Sequence, residues 1–156
     1  MKTDYLREVS IFKDLSEEEL DAMKHLWTVR AVEPRERIIG AGTPMHEFYV
    51  VAEGVVHVRR LAQEHEVLLA RIGPGGFFGE INLFEEATAT ASVYAMGEVQ
   101  LAVIPNITLR GFMEGRPDIG YKITARLLNE VSARLRQTNE RLVHSMFWSG
   151  VTPGER

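Results

Sequence analysis

Hydrophobic residues change their spacing twice along this chain, and each change marks a different kind of element. In residues 1–27 the apolar positions lie three or four apart, as on one helix face, at Leu20, Met23 and Trp27. Ser16 and Glu19 stand three apart at the start of this pattern, the arrangement of a capping box. Residues 1–27 are therefore predicted to form an N-terminal helical segment.

From residue 28 to residue 104 the period falls to two, which is typical of strands. Short runs rich in Val, Ile, Tyr and Phe alternate with Gly, Pro or charged turns, at 28–32, 37–39, 47–52, 55–61, 67–72, 90–95 and 99–104. Many short strands without intervening helices predict a β-roll, that is, a double-stranded β-helix or jelly-roll-like barrel, broken once by a turn over Gly79–Phe84. With helices on either side of the roll, the fold class is expected to be α+β.

The helical period returns over residues 105–147. Asn106 follows a proline and is a candidate N-cap for a helix over 107–114. Gly115 suits a left-handed position at the end of that helix, and Pro117 suits the first turn of the next one. The sequence thus predicts a short helix that leads directly into a longer one.

The longer helix, from about Asp118 to Phe147, is the largest predicted element, and residues 148–156 follow it as a tail. One set of its positions alternates three and four apart and is called the seam stripe below: Leu128, Val131, Leu135, Thr138 and Leu142. A helix of about thirty residues is roughly 45 Å long, more than one small barrel covers. We therefore expect the seam stripe to pair two copies of the chain in a homodimer. The alternative is that the helix packs on its own barrel.

Composition narrows the class of protein. The chain has 156 residues, 45% hydrophobic and 26% charged, which is ordinary for one globular domain. Zero cysteines exclude disulfides and thiolate metal sites. No apolar run is long enough for a bilayer and no signal peptide is visible, so a cytoplasmic location without membrane binding is expected. The net charge of −4 and the lack of a basic stripe argue against a nucleic-acid partner.

The chemically informative segment runs from Arg71 to Ser92. A Gly/Pro turn ends a strand, the pair Gly79-Glu80 opens a short apolar turn, and a run of small and hydroxyl residues follows. Glycines let a backbone approach a ligand closely, and the amides at the start of a helical turn suit an anion. A glutamate beside them can accept bonds from ligand hydroxyls. Two structural alternatives stay open: Gly73, Gly75 and Gly76 form only a connection between strands, and Thr88, Thr90 and Ser92 form only one face of a strand.

This segment resembles the phosphate-binding cassette of cyclic nucleotide-binding domains, such as those of bacterial cyclic-AMP receptor proteins. A glycine-punctuated hairpin over residues 42–56 and the order of helices, roll and long helix resemble that family as well. The resemblance implies that the cassette glutamate receives the ribose 2′-hydroxyl and that polar residues of the long helix reach the base. It assigns ligand contacts to Leu69, Gly79, Glu80, Ile81, Asn82, Leu83, Thr88, Ala89, Thr90, Ala91, Ser92, Thr138 and Asn139.

The cassette departs from the family pattern where an arginine normally pairs with the phosphate, because that position is Thr90. No Arg or Lys stands between Arg71 and Arg110, and either of these two remains a candidate replacement. Losing a bidentate arginine should cost about 2–5 kcal/mol of binding free energy. Asn82 also stands where a small residue is usual.

These observations predict a stand-alone regulatory sensor module with a degenerate cassette that signals through its C-terminal helix. Its ligand would be weakly bound cyclic AMP or cyclic GMP, or another small molecule, and its output partner is unknown. If the chain is complete, no helix-turn-helix reader domain is expected after the long helix. No catalytic or metal motif is visible, so a non-enzyme is expected. Two alternatives stay open: a ligand-free dimerisation or interaction module, and a haem sensor with His57 or His65 as axial ligand.

Overall fold

The N-terminal segment is helical, as the sequence predicts. The computed structural model describes residues 3–150; residues 1–2, and the part of the predicted tail over 151–156, lie outside the described residues. Two 3₁₀ turns, Thr3–Glu8 and Ser10–Phe12, precede helix α1 (Glu17–Met23), and a further 3₁₀ turn spans Lys24–Leu26. The capping box is present, because the Glu19 amide donates to Ser16 Oγ and the Ser16 amide to Glu19 Oε1, both at 3.1 Å.

Eight strands form two antiparallel sheets. They are β1 (Thr28–Val32), β2 (Arg37–Ile39), β3 (Glu47–Glu53), β4 (Val56–Ala62), β5 (His65–Ile72), β6 (Phe77–Phe78), β7 (Ser92–Ala95) and β8 (Val99–Pro105). The first sheet has the order β1-β8-β3-β6 and the second the order β2-β7-β4-β5. Strand β6 was not predicted, because two residues are too few to show alternation; it exists only through its pairing with β3.

Strands β3, β6 and β8 of the first sheet are buried on both faces, and this divides the interior in two. In β3, Phe48 and Val50 join a core shared with the helices, whereas Tyr49 and Val51 join a core between the two sheets. A strand covered on both faces reads as a continuous apolar run rather than an alternating one. Phe77 and Phe78 divide in the same way, so β6 anchors the following turn in both cores.

Two helices close the chain: α2 (Asn106–Gly115) and α3 (Pro117–Trp148). Pro117 occupies the first turn of α3 as predicted. The predicted cap at Asn106 is wrong, because the cap position is Pro105. Asn106 is a buried residue of the first turn, and its side-chain amide donates to the carbonyl of Asn82. Gly115 ends α2 without a left-handed conformation, because Arg116 continues the helical bonding with its amide on the carbonyl of Phe112.

The early part of α3 packs on the molecule through Ile119, Ile123 and Leu127, which belong to the core shared with the N-terminal helices. The architecture is thus a β-roll with short N-terminal helices and a long C-terminal helix, which confirms the predicted fold class. Among the helices described, none is long and apolar enough to span a membrane.

Candidate ligand-binding site

A cavity of about 620 Å³ lies between the roll and the second half of α3. Its apolar part comes from the roll, with Ile39, Met45 and Val58 among the lining residues. Its polar part comes from the 79–82 turn, from the hydroxyl-bearing segment that follows, and from α3. Clefts of this size and mixed lining suit one small organic molecule with a few polar groups.

Gly79 opens the turn in a left-handed conformation with φ 87°. A Cβ at this position would lie 2.6 Å from the carbonyl oxygen of Glu47, so no side chain fits. The 3₁₀ turn Glu80–Asn82 follows, closed by the bond from the Leu83 amide to the Glu80 carbonyl at 3.1 Å. The glycine therefore sets where the turn leaves β6 and where Glu80 points.

The carboxylate of Glu80 is paired with an arginine from α3. Nη1 of Arg134 lies 2.8 Å from Glu80 Oε1, and its Nη2 donates to the Phe77 carbonyl at 3.3 Å. The guanidinium also lies over the Phe77 ring, 4.5 Å from its centroid. Because the Glu80 side chain is only 15% exposed, this pair is better shielded from water than an ordinary surface ion pair.

Arg134 is the cation that the sequence analysis missed at this site. The sequence offers Arg71 or Arg110 as the replacement for the absent cassette arginine, whereas the cavity is lined by Arg134 and Arg141 of α3 in addition to Arg71. A signal was available, since Arg134 precedes the predicted ligand residue Thr138 by four positions and thus shares its helix face. That Arg134 meets Glu80 could not be inferred without the fold.

Arg71 borders the cavity, but strand geometry directs its side chain elsewhere. It pairs with His57, while the neighbouring pair Val56–Ile72 contributes to the core between the sheets. Successive residues of a strand point to opposite faces, so Arg71 and His57 point to the outer face of the second sheet. Arg110 lies on α2 and is not among the residues that line the cavity.

Most of the predicted ligand residues line this cavity: Leu69, Gly79, Glu80, Ile81, Asn82, Thr88, Ala89, Thr90, Ala91 and Thr138. Three do not, and each has a physical reason. Leu83 is fully buried in the core shared with the helices. Ser92 begins β7, where its Oγ accepts a bond from the Ala41 amide at 2.9 Å. Asn139 is exposed, because one further residue turns it about 100° away from Thr138.

Asn82 is one of two buried polar residues among those described, at 6% exposure. Its side-chain amide donates to the Ala87 carbonyl, and its own carbonyl accepts a bond of 3.2 Å from the Asn106 side chain. The residue that departs from the family's small-residue pattern is therefore bonded within the protein on two sides.

Leucine and valine side chains of the seam stripe are largely exposed in the single chain, at 65% for Leu128, 60% for Leu135, 54% for Leu142 and 40% for Val131. The Thr138 hydroxyl donates to the Arg134 carbonyl at 2.9 Å, within its own helix.

His57 and His65 lie in the β4–β5 hairpin and are not among the cavity residues. No cluster of metal-binding side chains is found within residues 3–150.

Comparisons with known proteins show the family to which the chain belongs. The sequence model of the cyclic nucleotide-binding domain matches residues 29–116, more than half of the chain. A CRP-like cAMP-activated global transcriptional regulator of Mycobacterium tuberculosis is 31% identical over 111 residues, which are 70% of this chain and 48% of that protein. The chain belongs to the cyclic nucleotide-binding domain family, and it spans less than half the length of the curated relatives it matches.

Two solved structures share the architecture. The N-terminal domain of a transcriptional regulator from Streptomyces coelicolor is 28% identical, with a TM-score of 0.73 over 89% of this chain and 95% of that one. A cyclic nucleotide-binding domain from Methylobacillus flagellatus is 23% identical, with a TM-score of 0.83 over 98% of this chain and 87% of the other, and it shows the fold alone.

Proposed function

We propose that this chain is a regulatory sensor module whose cavity binds a cyclic nucleotide weakly and whose α3 helix carries the signal within a homodimer. The observation that carries the proposal is the cavity itself, which is lined by the Gly79–Asn82 turn, the Thr88–Thr90 segment and α3. The module acts by binding rather than by catalysis, and it works in the cytoplasm.

The reason for weak binding is electrostatic. A cyclic nucleotide carries one negative charge on its phosphate, and the segment from Gly79 to Ser92 offers amides and hydroxyls but no cation. Thr90 lines the cavity where the family's arginine is expected. The missing charge-assisted bonds are equivalent to about 2–5 kcal/mol, or very roughly 30- to several-thousand-fold in affinity.

Neither of the two α3 arginines at the cavity replaces that arginine, because Arg141 bonds to the Leu69 carbonyl at 3.4 Å and Arg134 is already engaged with Glu80. A ribose hydroxyl that approaches Glu80 must share the carboxylate with this guanidinium or displace it. Either event changes the contact between the cassette and α3, so ligand occupancy and the position of the helix are coupled. A ligand shifts the helix only by its difference in affinity for the two arrangements.

Calorimetry with cyclic AMP and cyclic GMP tests the proposal. The wild-type chain should bind either nucleotide weakly, and Thr90→Arg should bind at least about 30-fold more tightly. Thr90→Gln is the matched control, because it adds bulk without charge and should bring no such gain. Tight stoichiometric binding by the wild-type chain would contradict the proposal.

The exposed seam stripe favours a second candidate, a dimerisation module without a ligand. In that case the chain is dimeric while neither the wild type nor Thr90→Arg binds a nucleotide. A visible absorption spectrum of freshly purified protein tests the haem alternative, for which a Soret band is the positive result.

The chain is not expected to bind nucleic acid through the residues described. Its net charge is −4, and several cations of α3 are paired with carboxylates: Lys122 with Glu19, Arg126 with Asp14 and Arg134 with Glu80. A mobility-shift experiment at low salt is the most permissive test, since phosphate contacts are strongest there. Sequence-selective retention of DNA would overturn this part of the proposal.

A further inference from the structure

The loop that leaves the cassette turn is held at its two ends by the backbone. At the start, the Leu83 amide bonds to the Glu80 carbonyl at 3.1 Å. At the end, Ala89 exchanges bonds of 2.8 Å with the segment 42–43, through its amide to the Thr43 carbonyl and its carbonyl to the Gly42 amide. Between these anchors, the side chains of residues 84–88 are exposed, so packing contributes little to their order.

The side chain of Asn82 links the start of this loop to its end. Its amide nitrogen donates to the carbonyl of Ala87, which draws the exit of the loop back to the turn. Asn82 is nearly buried, so water competes poorly for this bond. Among the described backbone–backbone bonds, none goes to the carbonyl of Ala87. The Asn82 side chain therefore closes the loop at this point.

The same residue is also tied to α2. The Asn82 carbonyl accepts from Asn106 Nδ2 at 3.2 Å, and the Asn106 amide donates to the His46 carbonyl at 2.8 Å. Asn106 is itself buried at 7% exposure. Asn82 therefore has two separable contacts: a side-chain bond across the loop and a main-chain bond to the helix that follows the roll.

We propose that Asn82 is a positioning residue that holds the 83–90 loop in its binding conformation before any ligand arrives. The loop carries Thr88 and Thr90, whose placement beside the turn decides whether their hydroxyls face a ligand phosphate. An ordered loop loses less conformational freedom on binding, which compensates for part of the missing arginine. The order of the loop is a property of the free protein, whereas its effect on affinity rests on the proposed function.

Hydrogen exchange on the full ligand-free chain, followed by mass spectrometry, tests the loop directly. In Asn82→Ala the amides of residues 83–90 should exchange about 3- to 10-fold faster, the factor expected for one hydrogen bond. Amides of β3 and β8 should not change, and neither should the first turn of α2, because alanine keeps the carbonyl that Asn106 uses. Unchanged exchange in the loop, or faster exchange throughout the chain, would overturn the proposal.

Two further variants separate the hydrogen bond from side-chain size. Asn82→Asp has nearly the same shape but presents no amide donor to Ala87, so the loop should exchange at least as fast as in Asn82→Ala. Asn129→Ala removes an exposed asparagine on α3 and should leave the loop unchanged. Wild-type exchange rates in Asn82→Asp would show that the donor is not what orders the loop.

The effect on binding is measured in the Thr90→Arg background by calorimetry with cyclic AMP. Adding Asn82→Ala should weaken binding about 3- to 10-fold, and saturating nucleotide should restore protection of the loop. Equal affinity with and without Asn82→Ala would overturn the positioning role. If Thr90→Arg itself binds no nucleotide, the proposed function fails, while the exchange experiment still decides whether Asn82 orders the loop.

Discussion

The two halves of α3 are attached to the molecule in different ways. Its first half buries Ile119, Ile123 and Leu127 in the core, and these side chains are 0%, 0% and 7% exposed. Its second half has no buried side chain from Leu128 to Trp148 and contacts the roll chiefly through Arg134, which pairs with Glu80 and lies over the Phe77 ring. Arg141 adds a long bond of 3.4 Å to the Leu69 carbonyl.

This difference separates a firmly packed, fixed part of the helix from a weakly attached part. Burial of two isoleucines and a leucine stabilises the first half by several kcal/mol, at about 1.5–3 kcal/mol for each side chain. A single partly exposed ion pair contributes much less to the second half. Under the proposed function, a ligand or a partner subunit would change the contacts of the second half while the first half keeps its place.

The largest expected effect concerns the outward face of the second half. Leu135→Asp should abolish the proposed dimer, because its seam would bury an unpaired carboxylate from each chain, at roughly 3 kcal/mol or more per dimer. Arg136→Asp is the matched control, since the neighbouring exposed residue points about 100° away from the stripe.

Light scattering on a sizing column gives the mass. The wild type and Arg136→Asp should have twice the 17.6 kDa of one chain, and Leu135→Asp the mass of one chain. A wild-type mass of one chain at micromolar concentration would contradict the dimer and leave the stripe unexplained.

Removing a buried contact from the first half should have the next largest effect. Ile123→Ala deletes a fully buried side chain and should lower the free energy of unfolding by about 2–5 kcal/mol. Asn129→Ala, on an exposed position of the same helix, should change it by no more than about 0.5 kcal/mol. Urea denaturation measures both values, and a loss below 1 kcal/mol for Ile123→Ala would mean that the first half is not the fixed part.

A smaller and local effect is expected at the contact between the cassette and the second half. Arg134→Gln leaves the mostly buried Glu80 carboxylate without its cation, which costs about 1–3 kcal/mol before allowance for solvent. Amides of residues 130–145 should then exchange faster, while those of 119–127 should not. Arg136→Gln, two residues further along the helix and exposed, is the control. Equal exchange in both variants would show that the Glu80 pair does not hold the helix.

The smallest expected effect is on the stability of the protein at low pH. Hydrogen bonds from Arg126 hold the pKa of Asp14 below its usual 3.8, and bonds from Lys122 and Ser16 hold the pKa of Glu19 below its usual 4.5. A lowered pKa in the folded state stabilises the protein above the usual value, and this stabilisation is lost as the pH falls through the folded-state value. The melting temperature should therefore drop below about pH 4.5, and less steeply in Asp14→Asn. An identical pH profile for the two proteins would contradict a contribution from Asp14.

Local patterns in the sequence predicted most elements correctly. Strands 28–32 and 37–39 have the bounds that alternation predicts, and the capping box at Ser16 and Glu19 is formed as expected. The errors lie where tertiary contacts override local preference. Asn106, a good cap by type, is instead drawn into a buried bond to Asn82, and β6 is defined only by its partner strand.

What the sequence by itself determined about this protein is the set of elements and the chemistry of the cassette. The period of the hydrophobic residues decides helix or strand, and Gly79, Glu80 and Thr90 are informative because they belong to one short segment of the chain. Only the tertiary structure decided which cation meets Glu80, since Arg134 is 54 residues away. It also decided that Arg71 faces outward, because the pairing register of β4 and β5 sets that direction. Contacts between distant residues depend on how elements pack, and no local pattern records that.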